Sequence, residues 1–144
     1  MSNSIYFHYN ELEQIPDIQE VNLSNWIKDC IQKLSSNSIE ELNYIFCDDS
    51  YLLEINKGFL KHDTYTDIIT FNYNKNNLIN GEIYISVERV KDNASKLKEK
   101  FESELKRVII HGVLHLIGYD DKSNEDRAKM RELEDYCLTL WPEN

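Results

Sequence analysis

His111 and His115 stand four residues apart in a stretch, 101–117, whose apolar spacing predicts a helix. Both imidazoles therefore leave the same helix face and can reach one ion. Gly118 follows, then Asp121, which completes His-x3-His-x2-Gly-x2-Asp. Two ligands on a helix, a glycine that reverses the chain and a third ligand brought back by the turn is a zinc-ligand spacing, and it leaves a fourth position for water. The pattern predicts one divalent ion per chain, zinc, held by His111, His115 and Asp121.

Composition alone would give a chain of this make-up the pattern, with His, Asp or Glu allowed at its last position, with a frequency of about 6 × 10⁻⁴. Either histidine taken singly is a satisfied core or surface residue. Together they lie on a helix with apolar side chains all round, from Val108, Ile109 and Ile110 to Val113, Leu114, Leu116 and Ile117, which predicts burial. Unpaired buried polar groups cost about 1–3 kcal/mol each, so the pair needs a shared partner. Zincin peptidases carry a glutamate directly after the first histidine as general base. Here that residue is Gly112, which excludes that chemistry. A metal that lowers the pKa of water toward about 7 and polarises a substrate oxygen suits phosphodiesters as well as acyl compounds.

The elements that must position these groups can be taken in chain order. Residues 5–9 read as a strand, and 22–34 as a helix with Trp26, Ile27, Cys30, Ile31 and Leu34 on its apolar face. Residues 42–47 read as a second strand, ending at Asp48-Asp49-Ser50, where a side-chain oxygen can cap a helix bearing Leu52, Leu53, Ile55, Phe59 and Leu60. Residues 66–71 and 81–86 are further strands, joined by a polar loop over 72–80. Ser86 can cap a helix over 87–97, and a last helix over 125–140 ends before Pro142. The sum is an α+β fold: a four-stranded mixed sheet packed with four to five helices, with the metal site on a buried helix and the turn after it. The acidic residues of the last helix, Glu125, Asp126, Glu132, Glu134 and Asp135, read as a solvated face.

With 144 residues and no repeat or Pro/Gly/Ser-rich linker, residues 1–144 are expected to form a single domain. The net charge of −10 excludes a protein that coats nucleic acid by bulk attraction. Cys30, Cys47 and Cys137 form no Cys-x-x-Cys and read as reduced thiols near the core. No signal-like start and no apolar run long enough to span a bilayer is visible, so the expectation is a cytoplasmic protein without a membrane partner.

The string His-Gly-Val-Leu-His-Leu-Ile-Gly-Tyr-Asp over 111–120, preceded by Thr-Asp-Ile-Ile-Thr-Phe over 66–71 and Gly-Glu-Ile-Tyr-Ile over 81–85, resembles the YbeY family of bacterial metal-dependent endoribonucleases. The resemblance runs from the 53–71 block to Met130. It implies a four-stranded α+β fold, a zinc ion in a cleft and single-strand-specific cleavage of RNA. It also implies action in 16S rRNA 3′-end maturation and ribosome quality control, with ribosomal RNA and small-subunit components as partners and no nucleotide cofactor. His8 and His62 match no ligand position of the motif.

The sequence departs from the family twice. Many members carry histidine as third ligand where this chain has Asp121, although aspartate also ligates zinc. Asp120 is the competing ligand, at the place of a residue beside it. Many members carry arginine where Leu60 stands, and leucine cannot contact phosphate. Lys57 or Lys61 can supply that charge, or both are solvated lysines. Thr66, Asp67 and Thr70 belong to the strand near the family's cleft, and Asp67 either orients water or is a strand-end carboxylate. Two other functions stay open: an assembly factor stabilised by its metal without strong nuclease activity, and a hydrolase of some non-RNA substrate.

Overall fold

The computed structural model describes residues 4–10, 19–59 and 66–142. In chain order the elements are β1 (Ile5–Tyr9), α1 (Glu20–Leu34), β2 (Ser38–Cys47), α2 (Asp49–Phe59), β3 (Ile68–Asn72), β4 (Leu78–Ser86), α3 (Val87–Leu97), α4 (Phe101–Leu116) and α5 (Asn124–Thr139). The four strands form one sheet in the order β1-β2-β4-β3. β1, β2 and β4 run parallel, and β3 returns antiparallel along β4. This is the expected α+β fold with a mixed sheet, with five helices among the described residues.

Side-chain alternation decides which face of the sheet is buried. Ile79, Gly81, Ile83 and Ile85 of β4 point to the same side as Leu42, Tyr44 and Phe46 of β2, and all are buried. Onto that side packs α4, whose Val108, Ile109, Ile110, Val113 and Leu114 are at most 4% exposed, together with Trp26, Ile27 and Ile31 of α1. The all-round apolarity of α4 thus corresponds to a helix enclosed by sheet and helices. Cys30, Cys47 and Cys137 are free and buried.

Caps mark where helices begin. Asp48 Oδ1 accepts from the Tyr51 amide at 2.8 Å, and Ser86 Oγ from the Arg89 amide at 3.1 Å. Ser123 and Asp126 form a reciprocal capping box at the start of α5. The polar loop expected over 72–80 is shorter than its composition suggests. β3 keeps Asn72 and β4 begins at Leu78, because polar residues on an edge hairpin can pair while facing water. Asn74 ties this hairpin to the end of α4, donating to the Leu116 carbonyl at 2.7 Å and accepting from the Asn80 amide at 2.8 Å.

Two glycines let α4 approach the sheet closely. A Cβ on Gly112 would lie 2.8 Å from Ile83 Cδ1 and 3.1 Å from Ile68 Cδ1, and one on Gly81 would lie 2.9 Å from Leu116 Cδ1 and 3.0 Å from the Phe71 carbonyl. Position 112 therefore faces the sheet, and a side chain there would meet β3 and β4 before it met solvent. Gly112→Ala is expected to cost about 1–3 kcal/mol in overpacking and to regain about 1 kcal/mol in helix propensity. The net loss, up to about 2 kcal/mol, should lower the thermal midpoint by up to about 4–8 °C. An unchanged or raised midpoint in thermal unfolding would show that Ile83 yields at no cost.

Candidate metal centre

The last two turns of α4 carry His111 and His115, and the chain then reverses at Gly118, whose φ of +109° lies in the region that side chains avoid. The reversal brings back Asp121. His111 Nε2 and His115 Nε2 are 3.0 Å apart, and Asp121 Oδ2 is 3.3 Å from the first and 3.4 Å from the second. Asp120, the alternative third ligand, is exposed and is not part of this group.

The far side of each imidazole fixes its protonation. His115 Nδ1 is 2.9 Å from the Tyr119 carbonyl, which can only accept, so Nδ1 carries the hydrogen. His111 Nδ1 donates to Glu134 Oε2 at 2.7 Å. Two imidazole lone pairs and a carboxylate oxygen consequently converge on one point. Such a group repels itself unless a positive charge stands among the three, and a single proton cannot satisfy all of them. Atoms about 2.0–2.2 Å from a common ion at tetrahedral angles lie about 3.3–3.6 Å apart, close to the spacings here. The His/His/Asp group can hold a metal ion.

The electrostatics reflect the crowding. Burial works against a charged His111, but the hydrogen bond and charge of Glu134, joined by Asp121 and Asp67, outweigh it and raise its pKa above the ordinary 6.5. Burial, with a contribution from the Glu134 charge, raises the pKa of Asp67 against the opposing pull of His111 and Arg89. Asp67 Oδ2 also accepts from Asn93 Nδ2 at 3.3 Å.

Two hollows meet at the ligand group. One, a cleft of about 520 Å³ between α2, β3 and the end of α4, is lined by Asn56, Thr66, Asp67, Thr70 and Asn72 besides His111, His115 and Asp121. The other, about 300 Å³, lies toward α5 and includes Glu104, Arg107, Arg131 and Glu134. Among the described residues no lysine or arginine lines the larger cleft. Polar groups there offer hydrogen bonds, and an ion held by the His/His/Asp group would add positive charge.

Thr66, Asp67 and Thr70 of the expected strand do reach the cleft wall. Lys57, in contrast, is exposed in the last turn of α2 and is not among the lining residues; its neighbour Asn56, buried at 5% exposure, is. Leu60, Lys61 and His62 lie outside the described residues. His8 is on the other face of the sheet, with Nε2 2.8 Å from Asn43 Oδ1. The expectation of a solvated acidic face on α5 is corrected at Glu134, which is 5% exposed and bonded to His111. Glu132 and Asp135 do face water, at 72% and 59% side-chain exposure. The signal for Glu134 was its place among Met130, Leu133 and Cys137, the buried stripe of the helix.

A family model described as Endoribonuclease YbeY matches residues 8–141 of the chain. The Endoribonuclease YbeY of Flavobacterium psychrophilum is 55% identical over 124 residues, 85% of this chain and 87% of the relative. That of Cytophaga hutchinsonii is 45% identical over 97% of this chain and 98% of the relative. Among solved structures, the solution structure of TM1509 from Thermotoga maritima superposes with a TM-score of 0.63 at 28% identity, covering 94% of this chain and 91% of the other.

Proposed function

The chain belongs to the Endoribonuclease YbeY family, and from that premise we propose that it is a zinc-dependent, single-strand-specific endoribonuclease acting in 16S rRNA 3′-end maturation and ribosome quality control. The observation that carries the metal-dependent reading is the convergence of His111 Nε2, His115 Nε2 and Asp121 Oδ2 in the lining of a cleft. Zinc held there would make water nucleophilic near neutral pH and draw charge from a phosphoryl oxygen. One ion per chain accounts for the three ligand atoms. The protein is proposed to work in the cytoplasm as a single domain; among the described residues no helix is long and apolar enough to cross a membrane.

The chain's own residues supply the rest. Glu134 and the Tyr119 carbonyl keep both histidines in the tautomer that turns Nε2 toward the cleft. Asp67, on the wall beside them, can orient water through its carboxylate. Thr70, Asn72 and Asn56 offer hydrogen bonds to sugar and base. An unpaired strand can lower a phosphate into such a hollow and splay its bases against the wall, whereas a duplex holds its phosphates on a rigid outer surface.

The test is cleavage of single-stranded precursor ribosomal RNA by the pure protein. Cutting that stops with chelator and returns with zinc supports the proposal; cutting indifferent to chelator, or none by the zinc-loaded protein, overturns it. The same assay decides the lysines. With Lys57 exposed and off the cleft lining, a Lys57→Ala, Lys61→Ala double variant should lose RNA cleavage only if Lys61 or a longer RNA path recruits them. Unchanged cleavage removes both from the substrate side.

A further inference from the structure

Both histidines must present a bare Nε2, but the groups that enforce this are unequal. His115 leans on a neutral backbone carbonyl, that of Tyr119. His111 leans on a carboxylate, Glu134, which comes from a different helix and is 5% exposed. Glu134 is itself held. Its Oε1 accepts from Arg107 Nη1 at 3.1 Å, and Arg107 Nη2 donates to Asp135 Oδ1 at 2.8 Å. Arg131 adds a more distant charge, with Nη1 3.9 Å from the same Oε1. A buried carboxylate is costly unless it is paired and hydrogen-bonded, and here both oxygens are engaged, one by a guanidinium and one by the imidazole.

We infer that Glu134 is the positioning residue of His111, and that it makes the two histidines unequal ligands. Accepting the Nδ1–H hydrogen locks the His111 tautomer. The negative charge behind the ring also pushes electron density toward Nε2, so His111 binds a metal more strongly than His115, whose partner is uncharged. The chain Asp135–Arg107–Glu134–His111 thereby makes α5 part of the metal centre, although it contributes no ligand. This rests on the metal reading of the site.

A tie whose only task is to fasten α5 to α4 would affect folding and leave metal affinity unchanged, and the two can be separated. Zinc affinity is measured by competition with a chromophoric chelator for the wild type, Glu134→Gln and Glu134→Leu, beside the unfolding midpoint of each metal-free protein. Glutamine keeps an acceptor and the shape but loses the charge; leucine loses both. Affinity is expected to fall about tenfold in Glu134→Gln and nearer 100-fold in Glu134→Leu, and the cobalt-loaded glutamine variant should show an altered visible spectrum. A folded Glu134→Gln protein with wild-type zinc affinity and an unchanged cobalt spectrum overturns the inference, whatever the leucine variant does. A wild type that binds no zinc overturns the metal reading instead, and the inference with it.

Discussion

His115→Ala is expected to leave a folded protein that neither retains zinc nor cuts RNA. The variant removes one of three converging acceptors, and no other described side chain completes a metal-binding group. Losing an outer hydrogen-bond partner of a ligand costs about 10–100-fold in metal affinity, so losing the ligand itself must cost more. Cleavage should fall with occupancy, because among the described residues the cleft lining offers no lysine or arginine to hold charge on the phosphate in the ion's place. The fold should tolerate the change. The imidazole is 27% exposed, its hydrogen bond to the Tyr119 carbonyl is worth about 0.5–1.5 kcal/mol, and alanine favours the helix in return. Metal content after dialysis, the cleavage assay and a far-UV melt together check this. A variant that keeps one tightly held ion and cuts at the wild-type rate would show that the chemistry lies elsewhere.

The helix that carries both histidines was legible because three local signals agreed. Apolar residues on every side of 108–117 announced burial, the four-residue spacing put both imidazoles on one face, and Gly118 marked the reversal that φ of +109° now shows. The strands were legible from alternation, since the face of the sheet covered by α4 and α1 selects every second residue of β2 and β4, while α2 covers part of the other face at Ile69. Glu134 and Asn56 were not. Each is a polar residue on the buried stripe of an otherwise amphipathic helix, Glu134 among Met130, Leu133 and Cys137, Asn56 beside Leu52 and Ile55. Counting α5 as acidic merged Glu134 with Glu132 and Asp135, which face water, although helical phase turns each of them about 100° or more away from it. The same phase explains Lys57. One residue past Asn56, it turns about 100° away from the stripe and so away from the cleft. A polar side chain in register with an apolar stripe is the feature that marks the cleft in this chain. The family's arginine, replaced here by Leu60, pointed at Lys57 three residues earlier, whereas register with the stripe points at Asn56. What no pattern could supply is the partner of each group, because the Glu134–His111 contact joins residues 23 apart in sequence on two different helices.

Zinc should stabilise the protein by an amount that depends on pH in a definite direction. Zinc at 100 times its dissociation constant adds about 2.7 kcal/mol to the folded state, and in a chain of this size each kcal/mol moves the thermal midpoint by about 2–4 °C. A rise of about 5–10 °C is therefore expected at about pH 8, absent in His115→Ala. Protons compete for the same lone pairs, so the rise must shrink on acidification. Because the pKa of metal-free His111 is held above 6.5, that competition begins above 6.5 rather than at it. Without metal the His111 contribution has the opposite sign. A raised folded pKa gives stability that is fully present below the unfolded value and is lost as pH rises through the folded one. Across this window the metal-free protein thus loses the histidine's contribution while the zinc-loaded protein gains the ion's, and the gap between their midpoints widens toward alkaline pH. Melting curves with zinc and with chelator from about pH 5.5 to 8 measure that gap directly. A gap that stayed constant, or widened toward acid, would mean that the ion is not held by imidazole nitrogens.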